Sequence, residues 1–392
     1  MKINRSFLII IFQIYCISCQ TPQSEHDVVT IEVEKELGKP LSTMRVSEIF
    51  YNIEYIALET PSNAVIGNNP IFEATQKHII VKDRDNCFVF DRKSGEFIRK
   101  IGKQGRGPNE YEHTRGFIDP VKEIVVFRGW GSELLEYDFS GNFLRSISIP
   151  EYEFKPPYFS IPIDYTYWGD NIVTYFLNLT GEETKLLLVF DRDGEIIHIH
   201  DNPNIIHEEN PLVGRNDDSQ FYHYENNLYF KENFNDTIYL VINNDLVVHK
   251  VIHTGKYLWP YESKWLTYEE QNKLPLFKLT NIFESGSYLF FHFHLANQSD
   301  KKILGLFDKN LDQLKLLDFS SGIDDDTSEF MPFTPFSLTI HNEAIGYVEG
   351  YKVEQWFMEN PEKADQLPLH LKNMENITES DNPVVIFAKL KE

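Results

Sequence analysis

The chain has 392 residues, a formal net charge of −23 and an aromatic content of 14%, carried mostly by Phe and Tyr. Acidity on this scale excludes nucleic-acid binding, because neutralising phosphates needs clustered Lys and Arg, and it disfavours docking flat on anionic lipid. The aromatic load favours strands over helices, and the length suits one large domain or two average ones.

Lys2 and Arg5 precede an apolar run from Phe7 to Ile17 that is interrupted only at Gln13. The run is too short to span a bilayer comfortably and has the layout of a secretory signal peptide over residues 1–18. Ser18-Cys19 then puts a small residue directly before a cysteine, as lipoprotein signal peptidase requires, although Cys16 stands where a lipobox usually has Leu. Cys19 is therefore the expected lipidation site, residues 19–49 the tether, and the membrane a partner through the lipid anchor. With Cys19 acylated, Cys87 is the remaining thiol and no disulfide staples the fold. In its NCFVF setting Cys87 reads as a small buried hydrophobe. The expected location is the outer membrane, facing the periplasm or the cell surface. The stretch QTPQSEHD at 20–27 lacks a strong acidic cluster, which tilts the expectation towards the periplasm.

From residue 50 the chain repeats. FVFDRKSGEFIRKI (88–101), LEYDFSGNFLRSI (135–147), LVFDRDGEIIHI (188–199), YLVINNDLVVHKV (239–251) and GLFDKNLDQLKLL (305–317) are each an apolar strand, a polar turn and a second strand. Each has a further strand upstream, at 78–83, 123–129, 171–176, 227–232 and 287–293. Before most of these lies an innermost candidate, at 116–120, 164–169, 221–224 and 279–283. A unit of four strands recurring at this spacing predicts an all-β propeller of four-stranded antiparallel blades. Residues 336–350, 382–391 and 52–59 supply a last blade built from both chain ends, which closes the ring and removes free sheet edges. The count is six, with seven the alternative, and the propeller domain spans 50–392. Short helical insertions are expected at 266–273, where Thr267 and Glu270 have capping-box spacing, and in two pieces over 351–375.

Gly102, Gly105 and Gly107 around Lys103 and Arg106 look superficially like a phosphate loop. A phosphate-binding loop must feed a helix N-terminus, whereas this one runs through Pro108 into a strand and has no Ser or Thr after Lys103. The glycines instead permit the sharp crossing from one blade to the next, stiffened by Pro108. The linker Gly102, Gly105, Gly107, Pro108, Glu110, Tyr111 resembles the joint of NHL-repeat propellers. Together with the Cys19 signal, YIALET (55–60) and DNPVVIFAKLK (381–391), it is similar to the six-bladed β-propeller lipoproteins of Bacteroidetes. That resemblance implies a cell-envelope lipoprotein and supplies no catalytic residues.

The remaining candidates are weighed by chemistry. His292 and His294, like His198 and His200, share a strand face as a metal pair would, but neither pair has a third ligand nearby in sequence. Asp324, Asp325 and Asp326 offer oxygens for Ca²⁺ without the EF-hand spacing. Asp119, Asp164 and Glu284 end inner strands and are candidates for an axial acid site. No G-x-S-x-G element occurs. No metal site or cofactor is therefore expected, Ca²⁺ being the one open option. The leading expectation is a largely non-catalytic propeller that binds a carbohydrate, a peptide or an envelope protein at its central funnel. Arg106, Arg115, Tyr165, Trp168 and His223 are the expected contact residues. The alternatives are a metal-dependent hydrolase or lyase using the same cavity, and a scaffold for envelope complexes.

Overall fold

A computed structural model describes residues 28–151, 160–179, 181–206, 218–242 and 245–391. Cys19 and the signal peptide lie outside the described residues. Within the described residues, strand patterning dictates the packing. Successive side chains of a strand face opposite sides of its sheet, so a strand apolar at nearly every position must be covered on both faces. In Cys87–Asp91, Cys87 and Val89 pack on one side with Ile118, Val125 and Phe127. Phe88 and Phe90 pack on the other with Ile345, Val385 and Phe387.

Six sheets of this kind form the protein. Blade 1 comprises Ile71–Ala74, His78–Lys82, Cys87–Asp91 and Phe97–Lys100, and blade 2 Ile118–Asp119, Ile124–Arg128, Glu133–Asp138 and Phe143–Ser148. Blade 3 comprises Ser160–Trp168, Asn171–Asn178, Lys185–Phe190 and Ile196–Asp201, and blade 4 Ser219–Tyr224, Asn227–Glu232, Thr237–Ile242 and Asp245–His253. Blade 5 comprises Phe277–Glu284, Tyr288–Leu295, Ile303–Asp308 and Gln313–Asp318. Blade 6 joins Ser337–Leu338, Glu343–Val348 and Val384–Leu390 to Phe50–Ala57 from the other end of the chain. Buried apolar clusters fill the seam between every consecutive pair of blades, including blades 6 and 1. An open stack of six sheets would have one seam fewer, so the blades stand in a closed ring. The protein is a six-bladed β-propeller. Closure is antiparallel, with Tyr55 opposite Ile386 and Ala57 opposite Val384.

Two segments depart from the sequence reading. Residues up to 49, expected to be tether, are part of the fold from Val28 on. Val29–Glu32 adds a fifth strand to blade 4, parallel to Asp245–His253. Ile31 and Val33 are fully buried beside the seam of blades 4 and 5, while Met44, Val46 and Ile49 enter the seam of blades 5 and 6. Burying these five apolar side chains, at about 1.5–3 kcal/mol each, gives the segment reason to dock rather than hang free. The inner strand of blade 1, Ile71–Ala74, also went unread, being only four residues long with no clear alternation. The helical insertions form near their expected places. Tyr268–Gln271 is capped reciprocally by Thr267 and Glu270. Gly350–Glu359, Pro361–Ala364 and Leu369–Lys372 interrupt blade 6 between its second and third strands.

Candidate ligand-binding mouth

Strand direction alternates within a blade, so the loops leading into inner strands share one rim with the turns between second and third strands. On that rim, at blades 1 and 2, opens a cavity of about 1090 Å³. Its wall comes from residues 65–71, which lead into blade 1, the blade 1 turn 82–86, and residues 113–115, which lead into blade 2.

Two side chains knit these segments together. The Asp83 carboxylate accepts the backbone N–H groups of Asp85 (2.8 Å) and Asn86 (2.7 Å), closing its own turn, and that of Gly67 (2.7 Å) across the cavity wall. The Thr114 hydroxyl lies within hydrogen-bond reach of the carbonyls of Asp83 and Arg84. The backbone of Arg115 is held in turn by the Arg128 N–H donating to its carbonyl at 2.8 Å. Gly116 follows with φ 143°, and a Cβ there would lie 2.0 Å from the carbonyl oxygen of Val126, so no other residue fits. The Gly116 carbonyl accepts from Lys82 Nζ at 2.8 Å.

The result is a rim of fixed cations. Arg84 and Arg115 are exposed on adjacent loops, and among the described residues neither side chain has a hydrogen bond or ion pair. Lys82 lies at the inner edge of the wall. Burial pushes its ammonium down to about 8, against the opposing pull of the Asp164 and Glu73 carboxylates. Glu73, on the inner strand of blade 1, is raised to about 8 by burial. Lys82 counters part of that rise and Asp119 adds to it. Asp164 accepts from the Ser219 hydroxyl at 2.7 Å.

Of the contact residues expected from the sequence, Arg115 alone lines this cavity. Arg106 stands on the neighbouring linker with its guanidinium 4.6 Å from the centre of the Trp130 ring. Tyr165 is buried in the seam of blades 2 and 3, and Trp168 packs into that of blades 3 and 4. His223 stacks on Tyr167 at 3.9 Å, and its Nε2 lies 2.8 Å from the Tyr167 carbonyl. Trp168 and His223 sit at the far ends of their strands from this rim. Lys82, Arg84, Asp85, His113, the aliphatic Val65 and Ile71, and the amides of Asn68, Asn69 and Asn86 complete the wall. Sequence reasoning passed over them because VKDRDN (81–86) reads as one more hairpin turn.

The glycine linker holds an anion of its own. Glu110 turns back into the loop, accepting from Gly107 N–H at 2.7 Å and Lys103 Nζ at 2.7 Å. A Cβ on Gly105 would lie 2.1 Å from its carboxylate oxygen. Tyr111 is fully buried beneath and donates its hydroxyl to the Asp85 carbonyl at 2.9 Å. The space a phosphate would need is filled by Glu110.

The other candidates are structural. His292 is wedged edge-on between Phe319 and Phe336, and burial brings it down to about 4. His200 is brought down to about 4 by burial and by His198, whose ring lies 4.6 Å away. Asp325 accepts from Thr327, Ser328 and the Tyr55 hydroxyl, and Asp326 from the backbone and hydroxyl of Ser47. Asp119 caps its own turn. Glu284 is locked by His249, Lys250, Lys309 and Tyr222. Among the described residues no three His, Cys, Asp or Glu side chains gather closely enough to hold a metal ion.

The family profile described as "Domain of unknown function (DUF4934)" matches residues 28–389. The chain belongs to the DUF4934 family. Its span takes in the docked N-terminal strand Val29–Glu32. A candidate exported protein (BF0058) of Bacteroides fragilis NCTC 9343 has the same fold, with TM-score 0.65 and 16% identity over 93% of this chain and 99% of that one. A protein of unknown function from Bacteroides caccae is a looser likeness, with TM-score 0.40 and 9% identity over 65% of this chain and 84% of that one. No curated protein sequence matches. Among the described residues of this DUF4934 chain, no helix is long and apolar enough to cross a membrane.

Proposed function

We infer that this DUF4934 chain is an exported, lipid-anchored propeller of the cell envelope that binds a carbohydrate, a peptide or a partner protein at the rim of blades 1 and 2. The observation that carries the reading is the cavity of about 1090 Å³ whose wall presents the guanidinium groups of Arg84 and Arg115, without an ion pair among the described residues, on loops knitted by Asp83 and Thr114. Concave, pre-formed sites with a few convergent polar groups are where ligands bind, and loops already held by hydrogen bonds lose little freedom on binding. The reading is of binding without turnover. The mouth offers cations, amides, His113 and two carboxylates; Asp83 is committed to three backbone N–H groups, Asp85 receives the Gln104 amide, and His113 Nδ1 accepts the Arg115 backbone N–H. Export is supported by the signal sequence and by the description of the Bacteroides fragilis neighbour as exported, and anchoring by the Cys19 motif alone.

Glycan and peptide arrays probed with the folded domain test the reading. The wild type is expected to retain a ligand that the Arg84→Ala/Arg115→Ala double variant loses. Binding unchanged in the double variant removes the site, and cleavage of a retained ligand removes the non-catalytic reading. Fractionation tests the anchor: Cys19→Ala is expected to move the protein from membranes to the soluble fraction.

A further inference from the structure

We propose that the ligand of this mouth is a carboxylate-bearing, hydroxyl-rich chain, that is, an oligosaccharide of uronic-acid type; the proposal rests on the mouth at blades 1 and 2 being the binding site. The first argument is charge. A molecule of net charge −23 repels anions at long range, yet this wall carries Lys82, Arg84 and Arg115 against Asp83 and Asp85. Asp83 is spent on backbone N–H groups and Asp85 receives the Gln104 amide at 3.4 Å. The two guanidinium groups make no ion pair among the described residues, which leaves unspent cations as the dominant feature of the wall. Planar guanidinium groups pair with carboxylates bidentately.

The second argument is what else the wall offers. Asn68 and Asn69 are exposed and make no side-chain hydrogen bond among the described residues. The Asn86 carbonyl takes Lys100, which leaves its N–H₂ group for a ligand. Amides donate to and accept from hydroxyls in equal measure, as a polyol requires. The aliphatic part is only Val65 and Ile71, and the lining has no Phe, Tyr or Trp, its one ring being the His113 imidazole. That composition lacks the broad phenyl or indole platform that would hold a neutral sugar face and the apolar pockets by which peptide side chains are selected. The third argument is size. A volume of about 1090 Å³ far exceeds one small anion and accommodates several sugar units.

Titration calorimetry on the folded domain decides it, using short oligomers of galacturonate, glucuronate and mannuronate, the same oligomers methyl-esterified, and oligoglutamate of equal charge. At least one uronate is expected to bind. Esterification, Arg84→Gln and Arg115→Gln are each expected to weaken it about ten-fold or more, with affinity falling as salt rises and oligoglutamate bound more weakly. Both arginines are exposed, so an unchanged melting temperature certifies the fold of each variant. If esterified and free oligomers bind alike, or oligoglutamate binds more tightly than every uronate, the acidic-sugar class is overturned. The mouth itself still stands in that case, provided the arginine variants lose the binding. If no uronate binds, the class is overturned outright. If a uronate binds equally to wild type and both arginine variants, the mouth falls with it.

Discussion

Glu284 is a carboxylate without solvent exposure, and it is surrounded by His249 at 3.1 Å, Lys250 at 2.7 Å, Lys309 at 2.8 Å and the Tyr222 hydroxyl at 2.9 Å. Burial alone would raise its pKa, but the His249 hydrogen bond and the two ammonium charges outweigh that and bring it down to about 2. The unfolded chain titrates this group near 4.5, so the stabilisation is complete above about 4.5 and drains away as pH falls towards 2. It amounts to about 3 kcal/mol. Glu284→Gln strands the buried Lys250 and is expected to cost about 3–5 kcal/mol at pH 7. The gap to wild type should narrow sharply by pH 3 in urea titrations, and a gap independent of pH contradicts the assignment. Glu73 has the opposite sign. Burial first, then Asp119, raise it to about 8, so the folded state holds a proton that the unfolded state gives up above about 4.5. Stability therefore falls between pH 4.5 and 8, and Glu73→Gln is expected to stabilise by about 1–2 kcal/mol at pH 8 and hardly at all at pH 4. That figure is reduced because Glu73 is only partly buried, so solvent screens its charge.

The turn closing each blade between its third and fourth strands does more than reverse the chain. In blades 1, 3 and 5 it begins Phe-Asp-Arg (90–92), Phe-Asp-Arg (190–192) and Phe-Asp-Lys (307–309). The aspartates accept backbone N–H groups of the turn. The basic residue that follows reaches into the seam with the preceding blade. Arg92 bonds Glu54 at 2.9 Å and lies 3.5 Å from the centre of the Phe387 ring, both in blade 6. Arg192 pairs with the buried Glu136 of blade 2, and Lys309 joins the Glu284 cluster beside Lys250 of blade 4. Blade 2 has Phe139 at the same place, packed in an apolar seam. Charged locks thus occupy the seams of blades 6 and 1, 2 and 3, and 4 and 5. The repeated turn was readable because Asp and Gly mark hairpins, whereas the partner glutamates lie in ordinary alternating strands with no local signal. Arg192→Ala leaves Glu136 buried with the half-exposed Arg145 as its one remaining ion-pair partner among the described residues. It is expected to cost about 3–5 kcal/mol, while Arg192→Met with Glu136→Leu should cost much less. A double-mutant cycle by denaturant unfolding checks this, and two additive losses would mean that the pair does not act as a lock.

At the scale of the ring, the architecture was legible because it repeats: hairpin pattern, spacing and the strands left over at both ends imply closure without any distance being known. The mouth was not legible, because Arg84, Arg115 and Asn68 come from separate loops and meet only once blades 1 and 2 stand side by side. Docking of residues 28–49 escaped notice for a related reason: Ile31, Val33 and Met44 are scattered apolar residues whose partners belong to blades far along the chain. Closure makes a last prediction. Val384–Leu390 puts Val384, Val385, Ile386, Phe387, Ala388 and Leu390 at 2% exposure or less, shared between the seams on both sides of blade 6. The five larger side chains contribute about 1.5–3 kcal/mol each, in total about the whole net stability of a domain. Removing residues 384–391 also unpairs Phe50–Ala57 and exposes two strand edges. The truncated chain is therefore expected to lose its cooperative melting transition and to self-associate. Fusing residues 381–391 ahead of residue 50 by a flexible linker, in that same truncated chain, should restore both monomer and transition, since the ring needs the strand and not its covalent connection. Calorimetry with light scattering reads both outcomes. A truncated chain that still melts cooperatively as a monomer would show that blade 6 does not hold the circle shut.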